Sequence, residues 1–313
     1  MRKTYLVADV GGTQIRAALF PADQPQPIKV VRISTQGEGQ APLERLLAAL
    51  ASLWPAGDQV AAVTVAAPGP LDPYEGIVFE APNVPGWENL PLKKHLRERF
   101  NVPAAIGNDA NLAALGEWRF GAGRGHNNLI YITVSTGIGG GVISDGQLLI
   151  GAHGLAGELG HTTIIPDGPL CGCGQRGHLE ALASGPSIAR WVEEQLAAGH
   201  PSILADRQPI TAREVATAAA QNDALAVAAL RRAGTYLGIG IANFLHIFNP
   251  TAIIIGGGVS RSGPYLFDAI HASLEERVLS RQYLDDLVLT TAALGDDAGL
   301  MGALALAQTV AGS

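Results

Sequence analysis

Residues 4–13 read TYLVADVGGT, a short β-rich run that ends at Asp9 and turns through Gly11 and Gly12. An apolar run resumes at Arg16–Phe20, which predicts a hairpin rather than a strand followed by a helix. Glycines let the backbone approach a phosphate and point N–H groups at it, and Asp9 is placed to hold Mg²⁺. The stretch predicts a phosphate-binding turn, with a plain tight hairpin as the alternative.

The glycine turn recurs twice along the chain. Residues 135–141 read STGIGGG after the predicted strand Leu129–Val134, and residues 256–258 are three glycines after the predicted strand Ala252–Ile255. Consecutive glycines are costly unless close approach is needed, and a helix after the third turn could point its N-terminus at a nucleotide. The repetition predicts two related halves and a nucleotide site. The expected nucleotide contacts are Asp9, Gly11, Gly12, Thr13, Ser135, Thr136, Gly137, Gly257 and Gly258.

Asp109 stands at a strand-to-helix junction. The predicted strand Ala104–Ile106 leads through Asn108 and Asp109 into a predicted helix, Ala110–Glu117. α/β sheets build their sites at such strand ends, and phosphoryl transfer to a hydroxyl group needs an acceptor for the hydroxyl proton. Asp109 is therefore the candidate catalytic base, with a helix N-cap as the alternative.

Four possible metal ligands lie close together in the sequence. His161, Cys171, Cys173 and His178 are separated by 10, 2 and 5 residues. Two thiolates and two imidazoles suit tetrahedral Zn²⁺. A structural zinc site is predicted, with a glycine-rich loop that carries unpaired thiols as the alternative.

Polar side chains near these motifs suit a sugar. Glu158 and Glu180 flank the predicted metal loop, and Asn83 lies in the stretch APNVPGW at residues 81–87. These planar side chains can pair with hexose hydroxyl groups, whereas Trp87 is interpreted as ordinary packing. Further helices are predicted at Leu43–Leu53, Leu92–Phe100, Gly185–Leu196, Val215–Ala229, Gly234–Ile247 and Gly299–Ala307, and further strands at Ile28–Ile33, Val60–Ala66 and Leu287–Thr291.

Composition narrows the class of protein. The chain has 313 residues, 47% of them hydrophobic and 16% charged, which predicts a globular protein of two domains. A net charge of −7 argues against a nucleic-acid partner. No signal-peptide core or membrane span is apparent, so we expect a cytoplasmic location and no membrane partner.

With these motifs assembled, the whole chain resembles the ROK family of repressors, open reading frames and sugar kinases. The resemblance is carried by residues 9–13, by the stretch GELGH at 157–161, by CGCGQRGHLE at 171–180 and by LGDDAGL at 294–300. It implies an actin-like ATPase domain of the α/β class, with two ribonuclease H-like lobes around a cleft. It also implies ATP with Mg²⁺, a structural Zn²⁺, and Asp109 as the base. The resemblance implies sugar contacts at Asn108, Asp109, Glu158, His161 and Glu180. The residues alone add Asn83 to this set of expected sugar contacts.

Two residues depart from the family pattern. His178 replaces the usual third cysteine, so we expect Zn²⁺ to bind more weakly and with greater pH sensitivity. Gln14 replaces the commoner lysine, which removes one cation near the phosphates.

The resemblance also implies an organisation and a reaction. One lobe is expected to span residues 1–112 together with a C-terminal helix at 299–313, and the other residues 113–298 with the zinc loop. The residues look most like family members that phosphorylate the 6-hydroxyl of glucose, with mannose, fructose or N-acetyl hexosamines as alternative substrates. Repressors of the family carry an N-terminal helix-turn-helix, whereas this chain starts at the first core strand, so repression is disfavoured. A non-catalytic sugar sensor is the remaining alternative, and a homodimer or tetramer is expected.

Overall fold

Two mixed β-sheets form the framework of the protein. The computed structural model describes residues 2–312. Its strands are β1 (Lys3–Val10), β2 (Gln14–Pro21), β3 (Lys29–Ser34), β4 (Gln59–Ala67), β5 (Leu71–Asp72), β6 (Ile77–Glu80), β7 (Glu88–Leu90), β8 (Ala104–Asn108), β9 (Leu129–Val134), β10 (Ile138–Ser144), β11 (Gln147–Leu148), β12 (Ala252–Gly256) and β13 (Val288–Thr291). Its helices are α1 (Pro42–Ser52), α2 (Leu92–Phe100), α3 (Asp109–Phe120), α4 (Leu179–Ala183), α5 (Gly185–Ala197), α6 (Ala212–Ala220), α7 (Ala224–Phe248), α8 (Pro264–Arg277) and α9 (Ala298–Val310).

The two five-stranded sheets have the same strand order. The first runs β3-β2-β1-β4-β8 and the second runs β11-β10-β9-β12-β13, while β5, β6 and β7 form a small third sheet. In each large sheet three antiparallel strands are followed by two strands parallel to the first. The predicted hairpin at the first glycine turn is confirmed, because Val10 pairs with Ile15 across it. The shared order also confirms the two related halves.

Helices cover both faces of the first sheet. Alternate residues of a strand point to opposite faces, and in β1 Leu6 belongs to a buried cluster that includes Leu46 of α1. Val7 belongs to a different cluster, which contains Leu300 and Leu304 of α9. The C-terminal helix therefore completes the core of the N-terminal sheet.

Helix α3 joins the two sheets. Its Leu112 lies in the buried cluster of α9 and the first sheet, whereas its Ala113 packs with Leu129 and Tyr131 of β9 in the second sheet. The expected lobe boundary at residue 112 thus falls inside a helix that both sheets contact. The division into lobes stays a prediction, and its end residues, 1 and 313, lie outside the described residues.

Helix boundaries differ from the predictions in residues 212–248, where α7 also runs unbroken across the gap predicted between Ala229 and Gly234. The single helix predicted at Val215–Ala229 is wrong: α6 ends at Ala220, Asn222 takes a left-handed φ of 61°, and the Asp223 side chain accepts the Ala226 N–H at 2.9 Å to start α7. Apolar spacing runs straight across this break, so periodicity alone misses it. The helix expected after the third glycine turn, predicted without bounds, is α8, which has a proline in its first turn.

The helices were compared with the length and apolar character of a membrane span. Among residues 2–312, none of the helices combines the length and the apolar character that crossing a bilayer requires.

Candidate active site

Helix α3 packs directly against glycines of β10. A methyl group built on Gly139 lies 2.9 Å from Cβ of Ala110, and one built on Gly141 lies 2.5 Å from Cβ of Ala114. Both glycines lie inside β10, which begins at Ile138, so they admit a helix rather than a phosphate. The second phosphate turn is thereby confined to residues 135–137, and the helix that carries Asp109 is held against the second sheet.

Asn108, and not Asp109, caps α3. Its Oδ1 accepts the N–H groups of Ala110 at 3.0 Å and Asn111 at 3.2 Å, and its Nδ2 donates to the carbonyl of Gly69 at 3.3 Å. Asp109 is the first residue of the helix and accepts the adjacent Ala110 N–H at 2.8 Å. The N-cap alternative for Asp109 is therefore wrong, and its second carboxylate oxygen has no hydrogen-bond partner among residues 2–312.

Two adjoining cavities bring the glycine turns together. The first, of about 570 Å³, contains Asp109 and residues from all three turns. Its members among the predicted nucleotide contacts are Asp9, Gly11, Gly12, Thr13, Ser135, Gly257 and Gly258. We call this space the phosphate cavity.

The second cavity, of about 1090 Å³, lies beside helices α5 and α6. We call it the nucleoside cavity, because its size suits a nucleoside and it shares Ser135, Gly258 and Arg261 with the phosphate cavity. Thr136 lines this second space, and Gly137 lines neither.

The third turn does not open a helix. A 3₁₀ turn covers Gly258–Arg261, and α8 begins only at Pro264, so the predicted helix does not start at the third turn. Gly257 has a φ of +81°, and a methyl group on it would lie 2.3 Å from the Val134 carbonyl oxygen. The glycine is required there because the end of β12 passes so close to β9.

Three carboxylates and three guanidinium groups line the phosphate cavity. Arg16 donates to Asp9 at 2.5 Å, and its second nitrogen lies 3.2 Å from Asp297 outside the cavity. Arg261 lies 3.6 Å from Asp296. Within residues 2–312, Asp109 and Arg32 are the two charged residues of this wall that have no ionic partner.

Asp109 lies where ionisation is unfavourable. Burial first, and then the negative charges of Asp9 and Glu158, raise the pKa of its carboxyl group to about 6, against the lowering effect of the Ala110 N–H. Burial also raises the pKa of Asp9, although Arg16 opposes that shift. A carboxylate with a pKa near neutrality is suited to accept a proton during a reaction.

Glu180 connects the second turn to the metal-ligand cluster. One of its carboxylate oxygens accepts the N–H of Ile138 at 2.9 Å, and the other accepts from the thiol of Cys171 at 3.4 Å. Glu180 thus links the cluster to the start of β10, directly after the second turn.

The four predicted zinc ligands form a cluster. Ligand atoms of His161, Cys171, Cys173 and His178 all lie within 4.8 Å of one another. Nδ1 of His161 is 3.8 Å from the sulfur of Cys171, and Nδ1 of His178 is 3.2 Å from that of Cys173. Two sulfur and two nitrogen donors at such separations fit a tetrahedral Zn²⁺ site, and His178 occupies the position expected of a ligand.

Of the predicted sugar residues, Asp109 lines the phosphate cavity, and Glu158 lies close enough for its charge to raise the pKa of Asp109. Glu158 lies 3.9 Å from Nε2 of His161, the ring nitrogen turned away from Cys171. Asn83 touches the first turn, since a methyl group on Gly12 would lie 2.6 Å from its Cβ. Trp87 is 1% exposed, which confirms its interpretation as packing.

Several cavity residues escaped the sequence interpretation. Among the residues that the structure describes, the cations of the phosphate cavity are Arg16, Arg32 and Arg261, yet no motif marks them. The hairpin register could have found two of them, because Arg16 and Arg32 pair directly across β2 and β3.

Comparison with known proteins places the chain among sugar kinases and their regulatory relatives. The model of the ROK family matches residues 5–310. A protein named glucokinase from Thermotoga maritima is 36% identical over 98% of both chains. An N-acetylmannosamine kinase from Escherichia coli is 36% identical over 97% of this chain and 98% of its own.

Solved structures agree in fold. A ROK family glucokinase from Streptomyces griseus, in complex with glucose and AMPPNP, superposes with a TM-score of 0.81 at 34% identity and covers 98% of this chain and 99% of its own. A ROK family transcriptional regulator, a homologue of the E. coli MLC protein, gives a TM-score of 0.88 at 30% identity over 99% of this chain and 79% of its own. The α/β, actin-like ATPase fold implied by the sequence is confirmed.

Proposed function

The chain belongs to the ROK family, and from that premise we propose that it transfers the γ-phosphoryl group of ATP to the 6-hydroxyl of glucose, with Asp109 as the base. It is a hexose kinase, as its relatives over nearly the full length are. The observation that carries the proposal is the unpaired carboxylate of Asp109 in the cavity that all three glycine turns line.

The two cavities suit the two parts of ATP. The nucleoside cavity is partly apolar and large enough for the base and ribose, with Thr136 on its wall. The triphosphate then passes Ser135 and Gly258, which both cavities share, toward the glycines of the first turn. Backbone N–H groups there bind phosphate oxygens without adding charge. Asp9 keeps one oxygen free of Arg16 and is the residue to hold Mg²⁺, which neutralises phosphate charge when bound.

Asp109 takes the proton of the attacking hydroxyl group. Burial stabilises its neutral form, so the proton gain costs less than it does for an exposed aspartate. The hexose is held between Asp109 and the carboxylate of Glu158, with Asn83, Asn108, His161 and Glu180 as further contacts. Closure of the cleft over the sugar excludes water and limits ATP hydrolysis.

The zinc cluster orders the sugar side of the cleft. His161, Cys171, Cys173 and His178 are its ligands, and a bound Zn²⁺ fixes the loop that leads to Glu180. His161 turns Nδ1 to the cluster and keeps Nε2 for Glu158 or the sugar.

A coupled ADP-release assay over a panel of hexoses tests the proposal. We expect kcat/KM for glucose to exceed the values for mannose, fructose, N-acetylglucosamine and N-acetylmannosamine by roughly tenfold or more, because hydroxyl-binding groups reject sugars that cannot pair with them. Calorimetric titration with glucose runs in parallel. Glucose binding without turnover of any hexose identifies a sensor and removes the kinase assignment.

One alternative substrate has direct support. The N-acetylmannosamine kinase relative has the same sequence identity to this chain, 36%, as the glucokinase from Thermotoga maritima. A preference for N-acetylmannosamine in the same panel keeps the kinase and changes the sugar.

A further inference from the structure

Arg32 is a free cation on the wall of the phosphate cavity. It lies on β3, an edge strand of the first sheet, and pairs across the sheet with Arg16. Directly opposite residues of an antiparallel pair share a face of the sheet, and like charges there repel. Arg16 is neutralised by Asp9 and Asp297, whereas the Arg32 side chain has no ion-pair or hydrogen-bond partner among residues 2–312.

The ion pairs of the phosphate cavity leave one carboxylate and one guanidinium group without an ionic partner among residues 2–312. Arg16 pairs with Asp9 and Arg261 pairs with Asp296, so Asp109 and Arg32 remain. A triphosphate brings several negative charges into a space that already holds three carboxylates. Arg261 keeps only a 3.6 Å contact with an exposed carboxylate, whereas Arg32 has no ion pair at all among residues 2–312. Its guanidinium group is therefore the cation of this wall that needs no rearrangement to bind phosphate, and its planar array of donors matches two phosphate oxygens at once.

The position of Arg32 indicates which end of a bound nucleotide it would contact. Arg32 lines the phosphate cavity together with Asp109 and is not part of the nucleoside cavity. A nucleotide that enters from the nucleoside cavity reaches this wall with its terminal phosphate. We propose that Arg32 binds the γ-phosphate of ATP and positions it for transfer. This inference rests on the proposed function and adds a positioning residue to it.

Removal of the guanidinium group isolates its contribution. In Arg32→Gln, Mg²⁺·AMPPNP is expected to bind about tenfold more weakly in calorimetric titration, because a charge-assisted contact to phosphate is lost. AMP, which lacks the terminal phosphates, should bind within about twofold of wild type. Arg32 is exposed on an edge strand, so its replacement should leave the melting temperature unchanged.

A matched control sits on the same strand. Lys29→Gln removes one positive charge from exposed β3 outside both cavities and should bind both nucleotides as wild type does. In steady-state assays, Arg32→Gln should raise KM for ATP and leave KM for glucose unchanged, with partial recovery in Arg32→Lys. Equal behaviour of Arg32→Gln and Lys29→Gln overturns the proposal and makes Arg32 a solvated surface residue.

The binding arm separates this inference from the proposed function. If wild type phosphorylates glucose but Arg32→Gln binds AMPPNP normally, the role of Arg32 alone is wrong. If wild type binds AMPPNP through Arg32 but phosphorylates no hexose, the kinase assignment is wrong while the phosphate contact stands.

Discussion

The turn between β1 and β2 and the turn between β9 and β10 hold equivalent places in two sheets of identical strand order, yet their surroundings differ. Around the first turn lie Asp9, Arg16 and Arg32, which are charged and line the phosphate cavity. The second turn offers hydroxyl groups at Ser135 and Thr136, and a carboxylate oxygen of Glu180 accepts an N–H group of the strand after it. The repeated backbone supplies glycines and N–H groups in both halves, whereas four of the six charged residues that line the phosphate cavity lie within residues 1–112.

This difference indicates a division of labour. The first half carries Asp9, Arg16 and Arg32 of the phosphate cavity, and the second carries the metal cluster, which Cys171 connects to Glu180, one of the proposed sugar contacts. Asp109 lies between them because α3 packs on Gly139 and Gly141 of the second sheet while its Leu112 reaches the first. Substitutions should therefore fall into three groups, which change KM for ATP, KM for glucose or the rate of phosphoryl transfer.

The largest effect is expected at Asp109, which lies between the two halves. Asp109→Asn keeps the size of the side chain but cannot accept the hydroxyl proton, so kcat should fall by roughly a hundredfold or more. Glucose affinity should stay near wild type, and the folded state should not lose stability, because a buried carboxylate that resists ionisation is replaced by a neutral amide. The ADP-release assay and calorimetry measure both quantities, with Asp206→Asn in an exposed turn as the control. Near-normal turnover in Asp109→Asn removes the residue from this role.

Removal of Zn²⁺ should change KM for glucose and leave KM for ATP nearly unchanged. Chelation is expected to raise KM for glucose by about tenfold, since loss of supporting contacts at a metal site commonly has effects of that order. KM for ATP should change less than about twofold, because the cluster reaches the cleft through Glu180 and not through the first turn. Elemental analysis before and after chelation, and recovery on adding Zn²⁺, check the result. A protein purified without zinc, or equal changes in both KM values, contradicts the division.

Adding a single methyl group at Gly137 should also raise KM for glucose, but by less than removal of Zn²⁺ does. In Gly137→Ala the new methyl lies 2.5 Å from the Glu180 carboxylate, the end of a flexible side chain that can yield. We expect KM for glucose to rise about fivefold, with KM for ATP nearly unchanged, a cost near 1 kcal/mol. Gly57→Ala is the matched control, because its methyl meets nothing within 4 Å. A rise in KM for ATP alone in Gly137→Ala would falsify the assignment of Glu180 to the sugar side.

Sequence patterns predicted the parts of this site that depend on local rules. The hairpin at residues 9–16, the junction at Asp109 and the spacing of Cys171 and Cys173 all reflect constraints between near neighbours, and the structure brings these motifs together. The patterns misread Gly139 and Gly141 because a glycine that admits a helix is indistinguishable in sequence from one that admits a phosphate.

The cations of the phosphate cavity were missed for a different reason. Arg16 and Arg32 lie 16 positions apart and meet only once β2 and β3 pair in register. Arg261 reaches the same space from the far end of the second sheet. Their significance arises from which carboxylates are already paired, and that depends on the assembled fold.

The smallest expected effect is the response of the wild-type enzyme to pH. Asp109 must be ionised to accept a proton, and its pKa is raised to about 6. About half of the free enzyme is therefore active at pH 6 and nearly all of it at pH 8, so kcat/KM for glucose should about double over that range. Below pH 5 it should fall about tenfold per pH unit. In Asp109→Asn the residual activity should lose this acid limb, and retention of the limb would assign it to another group of the first half, with Asp9 as the next carboxylate to replace.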